Sequence, residues 1–359
     1  MKIPLFKPSV TEEMKKMVLE VLDSGRYVNG PRIEHFEGVF ADYCRVNFAA
    51  AVSSGTAAIY LALRAFNIKP GDKIACPSLS FIASTSPVTL VGAEPVFIDV
   101  GDDYNMDMND LEKKLANGIK AVIVVHLYGQ TADMERLFAL KKKYRFWLIE
   151  DACQSNGAEY RGQKAGSFGD IACFSFYPSK NMTVAGDGGM VVTDNRDLYS
   201  CIRALRNHGV REGGSRYLSE LSGFNFRMSE IAAAIGTVQL KHLDNWIESK
   251  RKLAQIYNTL LPGEVIKPIE YPNRKHTYHL YVIRTPHRDE LMNKLKDDGI
   301  ETGIHYPIPI HRQPVYGNDL NLPKTDEFCR QVLSLPIYPS LSHRQIEVIC
   351  KKIKQHLSN

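Results

Sequence analysis

Lys180 stands in the run Phe174-Ser175-Phe176-Tyr177-Pro178-Ser179-Lys180-Asn181, and Gly186-Asp187-Gly188-Gly189 follows just beyond it. An apolar stretch over 170–176 precedes the lysine, and a second, Met190 to Thr193, follows the glycines. Most lysines are solvated and exposed. One held at a strand end, among aromatic residues and a glycine loop, is a candidate imine-forming amine, because partial desolvation favours the neutral nucleophile. A loop lysine in a surface ion pair fits the same residues, so the reading depends on its companions.

Two further motifs supply them. Val52-Ser53-Ser54-Gly55-Thr56-Ala57-Ala58 follows an apolar strand pattern and opens a helical run from Ala57 to Phe66. A strand, a turn of small residues and a helix start surround an anion with N–H groups and hydroxyls, although an ordinary helix cap uses the same residues. The spacing is neither that of a Walker loop nor Gly-x-Gly-x-x-Gly, which favours a single phosphate over a nucleotide. In Phe146-Trp147-Leu148-Ile149-Glu150-Asp151-Ala152-Cys153-Gln154 an apolar run ends in two carboxylates. Side chains alternate along a strand, so one acid points into a site beyond the strand end and the other away. Asp151 is either a helix cap or the partner of a protonated pyridine nitrogen, which makes the ring an electron sink. Lysine, phosphate cradle and pyridinium partner together specify pyridoxal 5′-phosphate.

These motifs need a frame. Apolar runs predict strands over 49–52, 73–76, 94–99, 121–126, 146–150, 170–176 and 190–193, with helical patterns such as 108–116 and 133–144 between most of them. Continuous apolar strands alternating with helices predict a mostly parallel sheet covered on both faces. Helices are expected over about 9–24 and 33–43. A long helical stretch, 229–259, leads into a different pattern: a strand over 278–285, a helix over 288–298, a Pro-rich loop over 306–314 and a last helix over 343–355. The expected organisation is a large cofactor-binding domain over 1–240, including the N-terminal segment, and a small C-terminal α+β domain over 241–359.

The ordered set of motifs resembles the DegT/DnrJ group of sugar aminotransferases, which have the aspartate-aminotransferase fold (fold type I). Besides those quoted, the resemblance rests on Gly25-Arg26-Tyr27-Val28-Asn29-Gly30-Pro31, Gly223-Phe224-Asn225-Phe226-Arg227-Met228 and His305-Tyr306-Pro307, and it covers essentially the whole chain. It implies that Lys180 and Asp151 are catalytic and that Thr56, Ala57 and Ser175 hold the phosphate. It further implies that Phe81 stacks on the pyridine ring, that Gln154 contacts the ring hydroxyl, and that Asn225 reaches the phosphate of a neighbouring subunit in a homodimer with shared sites. Tyr306 and His311 fall in the sugar-facing loop and are the expected substrate contacts. His126, ending an apolar strand, reads as a satisfied core or rim residue. The implied reaction moves an amino group from glutamate, leaving 2-oxoglutarate, to a keto group of a nucleotide-linked sugar. Segment 303–314 resembles the loop of relatives acting at carbon 3 rather than carbon 4. Sugar dehydration and a non-catalytic regulatory role are the alternatives. Dehydratases of the group carry histidine at the lysine position, and this chain keeps Lys180.

Composition agrees with a globular enzyme. The chain has 359 residues, 44% hydrophobic and 24% charged, enough to bury a large core. A net charge of +5 from 45 basic and 40 acidic residues is too slight and too dispersed for a nucleic-acid stripe. The seven cysteines form no Cys-x-x-Cys, so neither a disulfide frame nor a zinc site is expected, and the odd count suits a reducing compartment. No run approaches membrane-spanning length, and the N-terminus has no signal-peptide core. A cytoplasmic location is the resulting expectation.

Overall fold

The computed structural model describes residues 2–215, 217–317 and 320–358. Seven apolar runs form one sheet: β1 (Phe48–Val52), β2 (Lys73–Pro77), β3 (Glu94–Ile98), β4 (Ile119–Val125), β5 (Trp147–Asp151), β6 (Ile171–Ser175) and β7 (Gly189–Thr193). Their spatial order is β1-β7-β6-β5-β4-β2-β3. From β3 to β6 every pairing is parallel. β7 alone runs the other way, antiparallel to both β6 and β1. The chain therefore turns straight back between β6 and β7, and Lys180 lies in that turn.

The strands carry no polar alternation because both faces are buried. Ile74, Ile123, Ile149, Cys173 and Val191 pack on one face with Leu61 and Ala62 of the Gly55–Ala65 helix. Val122, Val124 and Leu148 face the other way, against Leu111 of the Met108–Leu115 helix and Leu137 of the Met134–Tyr144 helix. Ala172, Phe174 and Met190 lie on that side against Phe36 and Phe40 of the Pro31–Cys44 helix. β1 is an edge strand, and unpaired edges invite wrong partners. Here Ala51 N–H donates to Glu37 Oε1 at 2.8 Å, the Ala51 carbonyl accepts from Arg206 at 2.6 Å, and Glu37 and Arg206 bond each other.

The Glu230–Leu260 helix joins two cores. Ala233, Leu240, Leu243 and Ile247 pack beneath the sheet, whereas Leu253, Ala254 and Tyr257 belong to a second core. That core contains β8 (Tyr281–Arg284) and β9 (Val332–Leu335), an antiparallel pair, with the Arg288–Asp297 and His343–Leu357 helices. Ile3 is buried there too, and its backbone bonds Gly299 and Glu301 at 2.9 Å each. The first helix begins at Glu12 rather than residue 9, because Thr11 caps it by accepting from Met14 N–H at 3.2 Å. Among the described residues no helix is long and apolar enough to cross a membrane, and no side-chain group could hold a metal ion.

Candidate active site

The β6–β7 turn is folded tightly on itself. Phe176 N–H bonds the Gly188 carbonyl at 2.9 Å, Val184 N–H bonds the Phe176 carbonyl at 3.2 Å, and Lys180 N–H bonds the Tyr177 carbonyl at 2.8 Å. Gly189 begins β7 so close to its neighbours that a Cβ would lie 2.5 Å from the Ser54 carbonyl carbon and 2.8 Å from the Phe174 oxygen. Only glycine lets the turn meet the end of β1. Lys180 is half-buried. Burial pushes its amine below the usual lysine range, and nearby Cys153 and Asp151 oppose that shift without cancelling it.

The two acids ending β5 part company as strand alternation requires. Glu150, fully buried, accepts the N–H groups of Gly166, Phe168 and Gly169 at 2.8, 2.6 and 2.6 Å and faces His126 Nε2 at 3.0 Å. His126 Nδ1 accepts Ala132 N–H at 3.2 Å, so the ring is satisfied in the core and holds two loops together. Asp151, 3% exposed, points the other way. It accepts the Ser84 hydroxyl at 2.6 Å and Cys153 N–H at 3.2 Å. Ser84 ends a single 3₁₀ turn that starts after Phe81, so one turn both orients the acid and presents an aromatic ring. Phe81 is 56% exposed, and its ring centre lies 5.9 Å from that of Tyr306.

Gln154 ties Tyr306 to this group. Its Nε2 donates to the Tyr306 hydroxyl at 2.9 Å and its Oε1 accepts Tyr128 N–H at 3.0 Å. The Tyr128 hydroxyl in turn bonds the His305 carbonyl. Burial first, then the Asp151 charge, raises the Tyr306 phenol above its ordinary range and keeps it protonated. His311 lies elsewhere. It is fully buried, its ring centre is 6.0 Å from that of Phe97, and its Nε2 is 3.7 Å from Asp326. The Pro-rich loop bends inward beside it, where Ile310 N–H bonds the Ser78 carbonyl at 2.9 Å.

The cradle sits at the start of the Gly55–Ala65 helix. Ser54 caps it, accepting Ala57 N–H at 3.1 Å. A Cβ on Gly55 would lie 2.7 Å from Cys153 Sγ and 3.0 Å from Ser175 Cβ, so the glycine brings the helix start against both. The positive helix end, the exposed Thr56 and the Ser175 hydroxyl suit an anion. An amine depressed by burial, a buried carboxylate, an exposed aromatic ring and this cradle fit pyridoxal phosphate. Asn225 is exposed on a ribbon where Phe226 N–H bonds the Arg206 carbonyl at 3.0 Å. Among the described residues no hydrogen bond joins it to Lys180, Asp151 or Ser175 of its own chain. Ser84 and Tyr128 were not foreseen; a buried serine and a strand-end tyrosine carry no signal in sequence.

Known proteins resemble the chain along nearly its whole length. The model of the DegT/DnrJ/EryC1/StrS aminotransferase family matches residues 8–354. The chain is 41% identical to a dTDP-3-amino-3,4,6-trideoxy-alpha-D-glucose transaminase of Streptomyces venezuelae, over 93% of this chain and 89% of that protein. It is 37% identical to a pleiotropic regulatory protein of Geobacillus stearothermophilus, over 96% and 95%. The crystal structure of S. venezuelae DesV in complex with a ketimine intermediate superposes with a TM-score of 0.96 at 38% identity, over 100% of this chain and 99% of that one.

Proposed function

The chain belongs to the DegT/DnrJ/EryC1/StrS aminotransferase family, and from that premise we propose that it transfers an amino group from glutamate to the carbon-3 keto group of a nucleotide-linked sugar. It is a pyridoxal-phosphate-dependent sugar aminotransferase. The observation carrying the detailed reading is the convergence on one spot of Lys180, Asp151 and the Ser54–Thr56 helix start.

When bound, pyridoxal phosphate supplies a carbonyl that exchanges between amines and a ring that accepts electrons. Lys180, whose amine burial makes less basic than an exposed lysine, offers Nζ as nucleophile and as the group that takes a proton from one substrate carbon and returns it elsewhere. Asp151, fixed by Ser84, would hold the proton on the ring nitrogen. Thr56, Ala57 and Ser175 would hold the phosphate, Phe81 would cover the ring, and Gln154, which donates to the Tyr306 hydroxyl, would contact the ring hydroxyl while aligning Tyr306 for the sugar. Asn225 of a second copy would complete the phosphate site, which makes the working unit a homodimer. The carbon-3 preference is supported by the loop over 303–314 and by the name of the S. venezuelae relative, a 3-amino sugar transaminase. With His311 buried against Phe97, discrimination by this loop would pass through Tyr306.

The regulatory relative favours a second reading, a protein that binds the cofactor without turnover. One experiment addresses both. Purified enzyme is given glutamate with 3-keto and 4-keto sugar nucleotides in competition, and is separately reduced with borohydride. Label on Lys180 and preferred amination of the 3-keto compound are expected. Label on another lysine, or preference for the 4-keto compound, would overturn the corresponding part. Cofactor binding with no amination would establish the second reading.

A further inference from the structure

The Glu230–Leu260 helix sends two polar side chains into the back of the Lys180 turn. Gln239 accepts Thr183 N–H at 3.2 Å and donates to the Ser9 carbonyl at 2.8 Å. Lys250 stands eleven positions further on, about three helical turns, and therefore on the same face. Its Nζ donates to Asn181 Oδ1 at 2.8 Å and to the His279 carbonyl at 3.2 Å. Asn181 is the next residue after Lys180, and its Nδ2 lies 3.5 Å from the Thr277 carbonyl.

Lys250 is 5% exposed, and among the described residues no carboxylate lies within ion-pair distance of it. The ionisable groups around it are Lys180, Lys7 and Tyr338 along a shared cavity, and His276 and His279 on the following segment. A buried amine without an acid is costly in its charged form. A neutral amine has two N–H donors, and Lys250 has two acceptors. Burial pushes its pKa down to about 7. The cavity that Lys250 shares with Lys180 holds about 40 Å³, room for only a few waters. Its polar groups are therefore spent on the turn itself.

We propose that Lys250 is a positioning residue for Lys180, acting through Asn181: it ties the turn carrying the amine to the long helix and to the His279 strand entry. The inference rests on Lys180 being the reactive amine.

The test compares wild type, Lys250→Met, Asn181→Ala and the double variant as holoenzymes. Lys250→Met removes both donors at similar volume. It is expected to keep borohydride labelling of Lys180 and a KM within about twofold, to lower kcat by about tenfold or more, and to shift the pH midpoint of the visible cofactor band. Asn181→Ala should do the same, and the double variant should be no worse than either single. Unchanged kcat and band midpoint in Lys250→Met would overturn the inference, as would losses that multiply in the double variant. If Lys250→Met does not fold, Asn181→Ala reads the contact from the other side, and normal kcat there overturns it. Wild-type label on a lysine other than Lys180 would instead remove the active-site reading beneath it.

Discussion

Asp151 is held by one hydroxyl and one N–H, so an asparagine can keep its place while losing its charge. Asp151→Asn should therefore still show the Lys180 label but turn over about 10²–10³-fold more slowly, the scale of a lost electrostatic partner; steady-state kcat checks this, and near-normal turnover would remove Asp151 from the mechanism. Gly55 tests the cradle by shape. A methyl there meets Cys153 and Ser175 at 2.7 and 3.0 Å, and Gly55→Ala should cost about 1–3 kcal/mol by overpacking, read by urea unfolding, with faster loss of cofactor on dialysis. Lys250 gives a pH signature. Its folded pKa of about 7 lies below the value of about 10.4 in the unfolded chain, so between these values the unfolded state binds more protons. Its share of stability is then lowest below pH 7 and recovers as pH rises toward 10. Lys250→Met should flatten that slope in denaturation curves measured from pH 7 to 9.5; an unaltered slope would mean the amine is not depressed.

At the level of strands and turns, the carboxylate on the face opposite Asp151 ties down a loop. Glu150 satisfies three N–H groups of one loop and anchors His126. Glu150→Ala would leave these donors buried without acceptors, at about 1–3 kcal/mol each before relaxation, and should lower the urea midpoint sharply while Glu150→Gln keeps part of the loss. Nothing in Glu150-Asp151 distinguishes the two acids except strand parity, and parity shows that they diverge without saying which enters the site. All seven sheet strands were readable because both faces are buried and their apolar runs are unbroken. Val332–Leu335 was not, since four residues before Pro336 give too short a pattern. Tyr306 and His311 look like neighbours in the sequence. The inward bend at Ile310 separates them, and a backbone bond to Ser78 across the fold leaves no local signal. The links of Lys250 and Gln239 to the Lys180 turn were hidden for the same reason.

For the molecule as a whole, Asn225 is exposed on its own chain, which suits a residue that serves a second copy. If two copies share their sites as proposed, mixing inactive Lys180→Ala with impaired Asn225→Ala should restore part of the activity, since one site in each mixed dimer would be intact; sedimentation as a fully active monomer would exclude sharing. The β1 edge has a consequence for the order in which this protein is made. Phe48 pairs with Thr193, Ala51 is closed by Arg206, and Ser53 N–H bonds the Phe226 carbonyl at 2.8 Å. These three partners are all synthesised long after β1 itself, and only the Glu37 side chain, which accepts from Ala51 N–H, precedes it. The emerging chain must carry an apolar, unpaired strand through much of translation, a state prone to mispairing. A ribosome-stalled chain ending before Gly189 should accordingly recruit chaperones and fail to retain cofactor, and one extended past Phe226 should be the first in which β1 is protected from proteolysis.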